Sequence, residues 1–145
     1  MSNNYIFRKL CENDYEKYLK LINDFRETNF SKEVFISILN KINSNNSSIW
    51  IIEINDELIA TGTIIYEYKF IHNTSILAHI EDICVSKSFR GNNYGQLLVK
   101  YLIKEAKKKE CYKITLYCDE KLEKFYNLNG FSKKGIQMAI YNEEI

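Results

Sequence analysis

The sequence predicts one α/β domain spanning residues 1–145, with a mixed central sheet flanked by helices. Three observations carry this. The chain has 145 residues, the length of one domain. It is 46% hydrophobic and 27% charged, a globular rather than a disordered composition. Its apolar residues alternate between strand-like runs and helical spacing in the order β-α-α-β-β-β-α-β-α-β.

Each element has its own signal. Tyr5–Leu10 reads as a short strand. Asp14 is a predicted N-cap, followed by Tyr15, Tyr18, Leu19, Ile22 and Phe25 at helical spacing. Ser31 opens a second helix with Val34, Phe35, Ile38, Leu39 and Ile42 on one face. Ile49–Ile54 and Leu58–Glu67 flank Asn55-Asp56-Glu57 and read as a hairpin. Lys69–Ser75 is a polar connection, and Ile76–Val85 is a further strand. A long helix follows residue 95, with Leu97, Leu98, Tyr101, Leu102 and Ala106 on its apolar stripe. Lys107-Lys108-Lys109 suits its negative C-terminus. Tyr112–Tyr117 reads as a strand, and Glu120–Asn129 as a short helix stopped by Gly130. Gly135–Tyr141 reads as a last strand. The late strand–helix–strand portion needs a crossover, so a parallel pair is expected there.

Composition excludes several function classes. Twenty Lys and Arg oppose nineteen Asp and Glu, for a net charge of +1. A broad electrostatic grip on nucleic acid is therefore not expected. No apolar run of membrane-spanning length occurs, and Met1-Ser2-Asn3-Asn4 carries no signal-peptide pattern. The expected location is cytoplasmic. Cys11, Cys84, Cys111 and Cys118 form no Cys-x-x-Cys pair, and His72 and His79 lie outside metal-ligand spacing. No metal is expected, and the cysteines read as small buried apolar residues.

Two features point to chemistry. Glu81 and Asp82 are adjacent carboxylates inside an otherwise apolar strand. Burying them is costly unless they are paired or solvated, and strand neighbours face opposite sides. One carboxylate is therefore expected to face a cleft; a buried ion pair is the bland alternative. The second feature is the loop Arg90-Gly91-Asn92-Asn93-Tyr94-Gly95 between a strand and a helix. Its glycines and asparagines permit left-handed backbone, which lets several N–H groups converge at a helix N-terminus, an arrangement that binds phosphate. An ordinary Asn/Gly turn satisfies the same pattern.

Together with its flanking elements this loop resembles the acyl-CoA diphosphate loop of the GNAT superfamily, whose pattern is Arg/Gln-x-x-Gly-x-Gly/Ala. Asn93 stands where the middle glycine is expected. The phrases His79-Ile80-Glu81-Asp82-Ile83-Cys84-Val85, Cys111-Tyr112-Lys113-Ile114 and Lys124-Phe125-Tyr126 narrow the resemblance to the glucosamine 6-phosphate N-acetyltransferase family. The match covers roughly Lys69 to Ile140. It implies a GNAT acyl-CoA N-acyltransferase fold, acetyl-CoA as co-substrate, a small amino-sugar phosphate as acceptor, a place in amino-sugar nucleotide synthesis, and a homodimer. It implies cofactor contacts at Ile83, Cys84, Val85, Arg90, Gly91, Asn92, Asn93, Tyr94, Gly95, Gln96 and Tyr126. Tyr126 is the implied general acid, and Glu81 and Asp82 serve the sugar amine and hydroxyls. Lys69, His72, Tyr112 and Lys113 are the implied lining of the sugar-phosphate pocket.

Besides Asn93, the chain departs from the family pattern at three positions. Tyr141 stands where an arginine is usual, Tyr117 where an aspartate is usual, and Leu122 where an asparagine is usual. Arg26 is a candidate replacement cation. Two other readings stay open: a GNAT enzyme for another amine, such as a polyamine, amino acid or protein N-terminus, and a non-catalytic acyl-CoA-binding module.

Overall fold

The computed structural model describes residues 4–145. Residues 1–3, part of the stretch that lacks a signal pattern, lie outside the described residues. The elements are β1 (Tyr5–Lys9), α1 (Tyr15–Asn23), α2 (Lys32–Ser44), β2 (Ser47–Ile54), β3 (Glu57–Tyr68), a single turn α3 (Ile71–Thr74), β4 (Ile76–Val85), α4 (Tyr94–Lys108), β5 (Lys113–Leu116) and α5 (Glu123–Asn127).

The five strands form one sheet in the order β1-β2-β3-β4-β5. β1 to β4 are antiparallel neighbours. β4 and β5 are parallel, Leu77 to Ile80 lying beside Lys113 to Leu116, and α4 makes the expected crossover between them. One face of the sheet buries Ile52, Ile59, Ile64, Ala78 and Ile80 against Leu98, Leu102 and Ala106 of α4. The other buries Ile49, Ile51, Leu58 and Cys84 against Leu21 of α1 and Phe35 and Leu39 of α2. The sheet thus has helices on both faces, which explains why β2 reads as a nearly continuous apolar run.

Local chemistry sets the helix starts. The Ser31 hydroxyl accepts the Val34 amide at 3.2 Å and caps α2. Asp14 occupies the N-cap position of α1, yet its side chain makes no cap bond there. Its carboxylate instead receives the Arg8 guanidinium at 2.7 and 2.8 Å and the Cys11 amide at 2.9 Å. Glu53 also engages Arg8, so the group ties β1, β2 and the entry to α1 together.

The expected strand Gly135–Tyr141 does not form. Its apolar side chains project into solvent, with Ile136 91% and Met138 90% exposed. A strand needs a hydrogen-bonding neighbour, and among the described residues no strand pairs with the segment. Among the described residues β5 has a strand partner on one side only. The short helix predicted over Glu120–Asn129 is also two pieces, a 3-10 turn at Glu120–Leu122 and then α5.

Candidate active site

The site begins with an irregularity in β4. Glu81 pairs with Thr63 of β3, but Cys84, three residues on, pairs with Thr61 only two residues back. β4 therefore carries one extra residue, a β-bulge. Asp82 absorbs it with φ +52, a left-handed conformation rare inside a strand. Gly62 faces the bulge. A Cβ there would lie 2.6 Å from Ile83 Cδ1, 3.1 Å from Leu102 Cδ1 and 3.3 Å from Leu98 Cδ2. A glycine inside a strand is the one sequence signal that marks this bulge, and it sits in Thr61-Gly62-Thr63.

The bulge coincides with the end of β5. Parallel pairing stops at Ile80 and Leu116, while β4 continues to Val85. Among the described residues, Glu81 to Val85 have no strand partner on that side, so a cleft opens along a free backbone edge. Such an edge accepts an extended amide-bearing molecule as an added strand.

The cleft leads to the N-terminus of α4. Gly91 (φ +81) and Asn93 (φ +65) are both left-handed, as the sequence pattern predicts. The Asn92 side-chain amide donates to the Phe89 carbonyl at 3.2 Å and closes the loop. The Arg90 guanidinium donates to the carbonyls of Val85 and Asp24, both at 3.1 Å. Arg90 thus braces the loop against β4 and the C-terminal end of α1. Gly95 lets the first turn of α4 approach α5: a Cβ there would sit 3.4 Å from Phe125 Cζ and 3.5 Å from Val85 Cγ2. These contacts carry Phe125 and Tyr126 to the far wall of the cleft.

Tyr126 is buried, with its ring against Phe125 and Phe131. Burial, reinforced by the nearby Cys118, raises its pKa and keeps the phenol protonated at neutral pH. Burial and the charge of Asp82 raise the Glu81 pKa as well, with His79 opposing. His79 is fixed two residues away, its ring nitrogens 3.1 Å from Glu67 Oε2 and 2.6 Å from Thr115 Oγ1. Sequence reasoning missed this chain across β3, β4 and β5. Burial pushes the Cys84 thiol up to about 11, and it faces the Leu21 carbonyl at 3.7 Å. Its side chain is structural; only its backbone borders the cleft.

The structure therefore brings together Glu81, Asp82, Ile83, Cys84, Val85, the loop Arg90 to Gly95, Gln96 and Tyr126. The other predicted residues form a separate group. His72 stacks on Tyr112 with ring centroids 4.4 Å apart, and Lys113 Nζ lies 5.6 Å from the centre of the same ring. Lys69 is ion-paired to Glu67 at 2.9 Å. Lys113 is level with Leu77, four residues before Glu81, which is about 13 Å along a strand. Within one chain the two groups are thus set apart along β4.

A splayed parallel pair, a bulged strand and a glycine-bearing helix N-terminus define an acyltransferase cleft. The chain belongs to the acetyltransferase (GNAT) family, whose model matches residues 15–131. It is 37% identical over 140 residues to glucosamine 6-phosphate N-acetyltransferase 1 of Dictyostelium discoideum, covering 93% of this chain and 89% of that protein. Against the glucosamine 6-phosphate N-acetyltransferase of Candida albicans it is 35% identical, covering 93% and 94% of the two chains. The crystal structure of the Arabidopsis thaliana enzyme of the same name superposes with a TM-score of 0.90 at 32% identity, covering 96% and 99%. No helix among the described residues is long and apolar enough to cross a membrane.

Proposed function

We propose that the chain, as a single domain over residues 1–145, transfers the acetyl group of acetyl-CoA to the 2-amino group of glucosamine 6-phosphate. The observation that carries this is the free, kinked edge of β4 at Glu81 to Val85, leading into the N-terminus of α4. Backbone groups of Ile83 to Val85 pair with the amide arm of the donor. Backbone N–H groups of residues 91–96 hold its diphosphate, aided by the helix dipole. The amide at the bulge points at the thioester carbonyl and stabilises the charge that develops on its oxygen.

Glu81 and Asp82 receive the sugar amine and its neighbouring hydroxyls. The amine nitrogen attacks the carbonyl carbon, and its proton passes to Glu81, whose carboxylate is made more basic than an ordinary one by burial and the neighbouring Asp82. The carbon–sulfur bond breaks, and the departing thiolate takes the proton of Tyr126. No covalent enzyme intermediate is required.

Lys69, His72, Tyr112 and Lys113 supply cations and an aromatic face for the sugar phosphate. Their separation from Glu81 within one chain calls for a homodimer, in which one copy's cations face the other's carboxylates. The exposed Ile136, Met138, Ile140 and Tyr141 and the unpaired side of β5 support that assembly. Against the expectation of buried cysteines, Cys84 alone is buried while Cys11 and Cys118 are exposed; all four are free thiols, in keeping with a reducing, cytoplasmic location.

A different amine acceptor is favoured by Tyr141 and Tyr117, which replace charges expected from the resemblance. A thiol-release assay with acetyl-CoA decides between the two. Glucosamine 6-phosphate is expected to exceed glucosamine and spermidine by at least tenfold in kcat/KM. Equal rates on the phosphorylated and free sugars would refute the phosphate-directed reading.

A further inference from the structure

One residue of α1 pins the segment between β4 and the glycine-bearing loop. Asp24 is the C-cap of α1. Its carboxylate accepts the Lys87 amide at 2.9 Å, and its carbonyl accepts the Arg90 guanidinium at 3.1 Å. Arg90 also reaches back to the Val85 carbonyl at 3.1 Å. Residues 85–90 are therefore held at three points, and two of the three holds end on Asp24. These partners lie 63 and 66 residues from Asp24 in sequence, so neither bond belongs to a helix or strand ladder.

A helix C-terminus leaves its last carbonyls without intrahelical partners and carries partial negative charge. At Asp24 the Arg90 guanidinium answers both. The anchor is itself fixed, because Leu21, three residues earlier, is 2% exposed and its carbonyl faces the Cys84 thiol at 3.7 Å. At the other end of the segment the Asn92 side-chain amide donates to the Phe89 carbonyl at 3.2 Å, just before Asn93 (φ +65) turns the chain into α4. A continuous line of contacts thus runs from β4 through α1 and Asp24 to the loop. A loop that ordered only on binding would weaken its ligand by the cost of ordering it.

We propose that Asp24 is a positioning residue of the donor site: from the end of α1 it presets residues 85–95, so that the amides that hold the diphosphate are in place before acetyl-CoA arrives. This rests on the donor site described under the proposed function. Asp24 acts through Lys87 and Arg90. Its negative charge opposes a diphosphate, so its benefit to binding comes through its hydrogen bonds.

The test compares the full-length wild type with D24N, D24A and D24L. All three variants lose the charge, but only D24N keeps a side-chain oxygen that can accept the Lys87 amide. One hydrogen bond of this kind carries about 2- to 10-fold. In isothermal titration with coenzyme A, D24A and D24L should bind at least threefold more weakly than D24N. In the free protein, amide hydrogen exchange over residues 86–95 should be faster in D24A and D24L than in D24N, which should match the wild type. If D24A fails to fold, D24L is read in its place. Equal affinity in D24N and the folded truncation variant, or equal exchange over residues 86–95, overturns the role of Asp24 alone. Loss of fold in both D24A and D24L beside a folded D24N makes Asp24 a residue of stability and overturns it too. No binding of coenzyme A by the folded wild type overturns the donor site, and this inference with it.

Discussion

Replacing Gly62 with alanine perturbs the site through a single methyl group. The new Cβ would lie 2.6 Å from Ile83 Cδ1, 3.1 Å from Leu102 Cδ1 and 3.3 Å from Leu98 Cδ2. Optimal carbon contacts are about 3.5–4.0 Å, so Ile83 must retreat by about 1 Å. Overpacking of this kind costs about 1–3 kcal/mol. The loss of unfolded-state freedom on going from glycine to alanine returns about 0.4–1 kcal/mol, because the local backbone does not require positive φ. The net destabilisation is about 1–2 kcal/mol, or a fall in Tm of about 3–8 °C for a domain of this size. The functional effect should be larger. Ile83 belongs to the bulge, and an error of about 1 Å in a catalytic group can cost 10²-fold. The variant is expected to lose at least tenfold in kcat while still unfolding cooperatively. G62A/I83V supplies the internal check, since valine lacks the atom nearest the clash and should restore most of the turnover. Circular dichroism melting and thiol release read both quantities. Wild-type Tm and kcat in G62A, or no rescue by I83V, would refute the assigned role of the bulge.

Four further outcomes follow from the geometry. Y126F should lower kcat by about 10²-fold or more, the range of general acid catalysis, with unchanged CoA affinity by calorimetry. In D82N the acid limb of the kcat/KM profile should move to lower pH, because removing the neighbouring negative charge lowers the raised Glu81 pKa; an unmoved limb assigns it to another group. R8M should cost about 2 kcal/mol in urea unfolding at neutral pH by leaving the Asp14 carboxylate, 3% exposed, without its main partner. Burial alone would raise the Asp14 pKa, but Arg8 and the Cys11 amide hold it below the usual value. Its stabilisation is therefore present above the unfolded-state value of about 3.9 and lost as pH falls through the folded one, so the gap between wild type and R8M should narrow in acid. The full chain should sediment as the proposed dimer and a variant lacking residues 132–145 as a monomer; an equal number of subunits in both would dissociate that segment from assembly.

Most of the architecture was legible because the determining interactions are local or periodic. The Ser31 cap, the apolar runs of β2 to β4 and the strand–helix–strand crossover each depend on neighbours in sequence. Gly135–Tyr141 was not, because Ile136, Met138 and Ile140 carry a strand pattern while hydrogen bonding needs a partner that none of the described strands supplies. Asp14 occupies the predicted cap position, yet Arg8 and the Cys11 amide claim its carboxylate. At the site, the anomaly of Glu81-Asp82 was visible, but its cause was not. A bulge is a matter of register between β3 and β4, and only Gly62 hints at it from within the sequence. Family phrases likewise supplied His72, Tyr112 and Lys113 without the distance that separates them from Glu81.

Isothermal titration of the folded, full-length protein with coenzyme A tests the central claim most directly. A free strand edge ending at a helix N-terminus should bind one coenzyme A per chain, with an affinity that weakens when the 5′-diphosphate is removed. Folded protein that gives no heat with coenzyme A, or that binds pantetheine as tightly as the whole molecule, would contradict it.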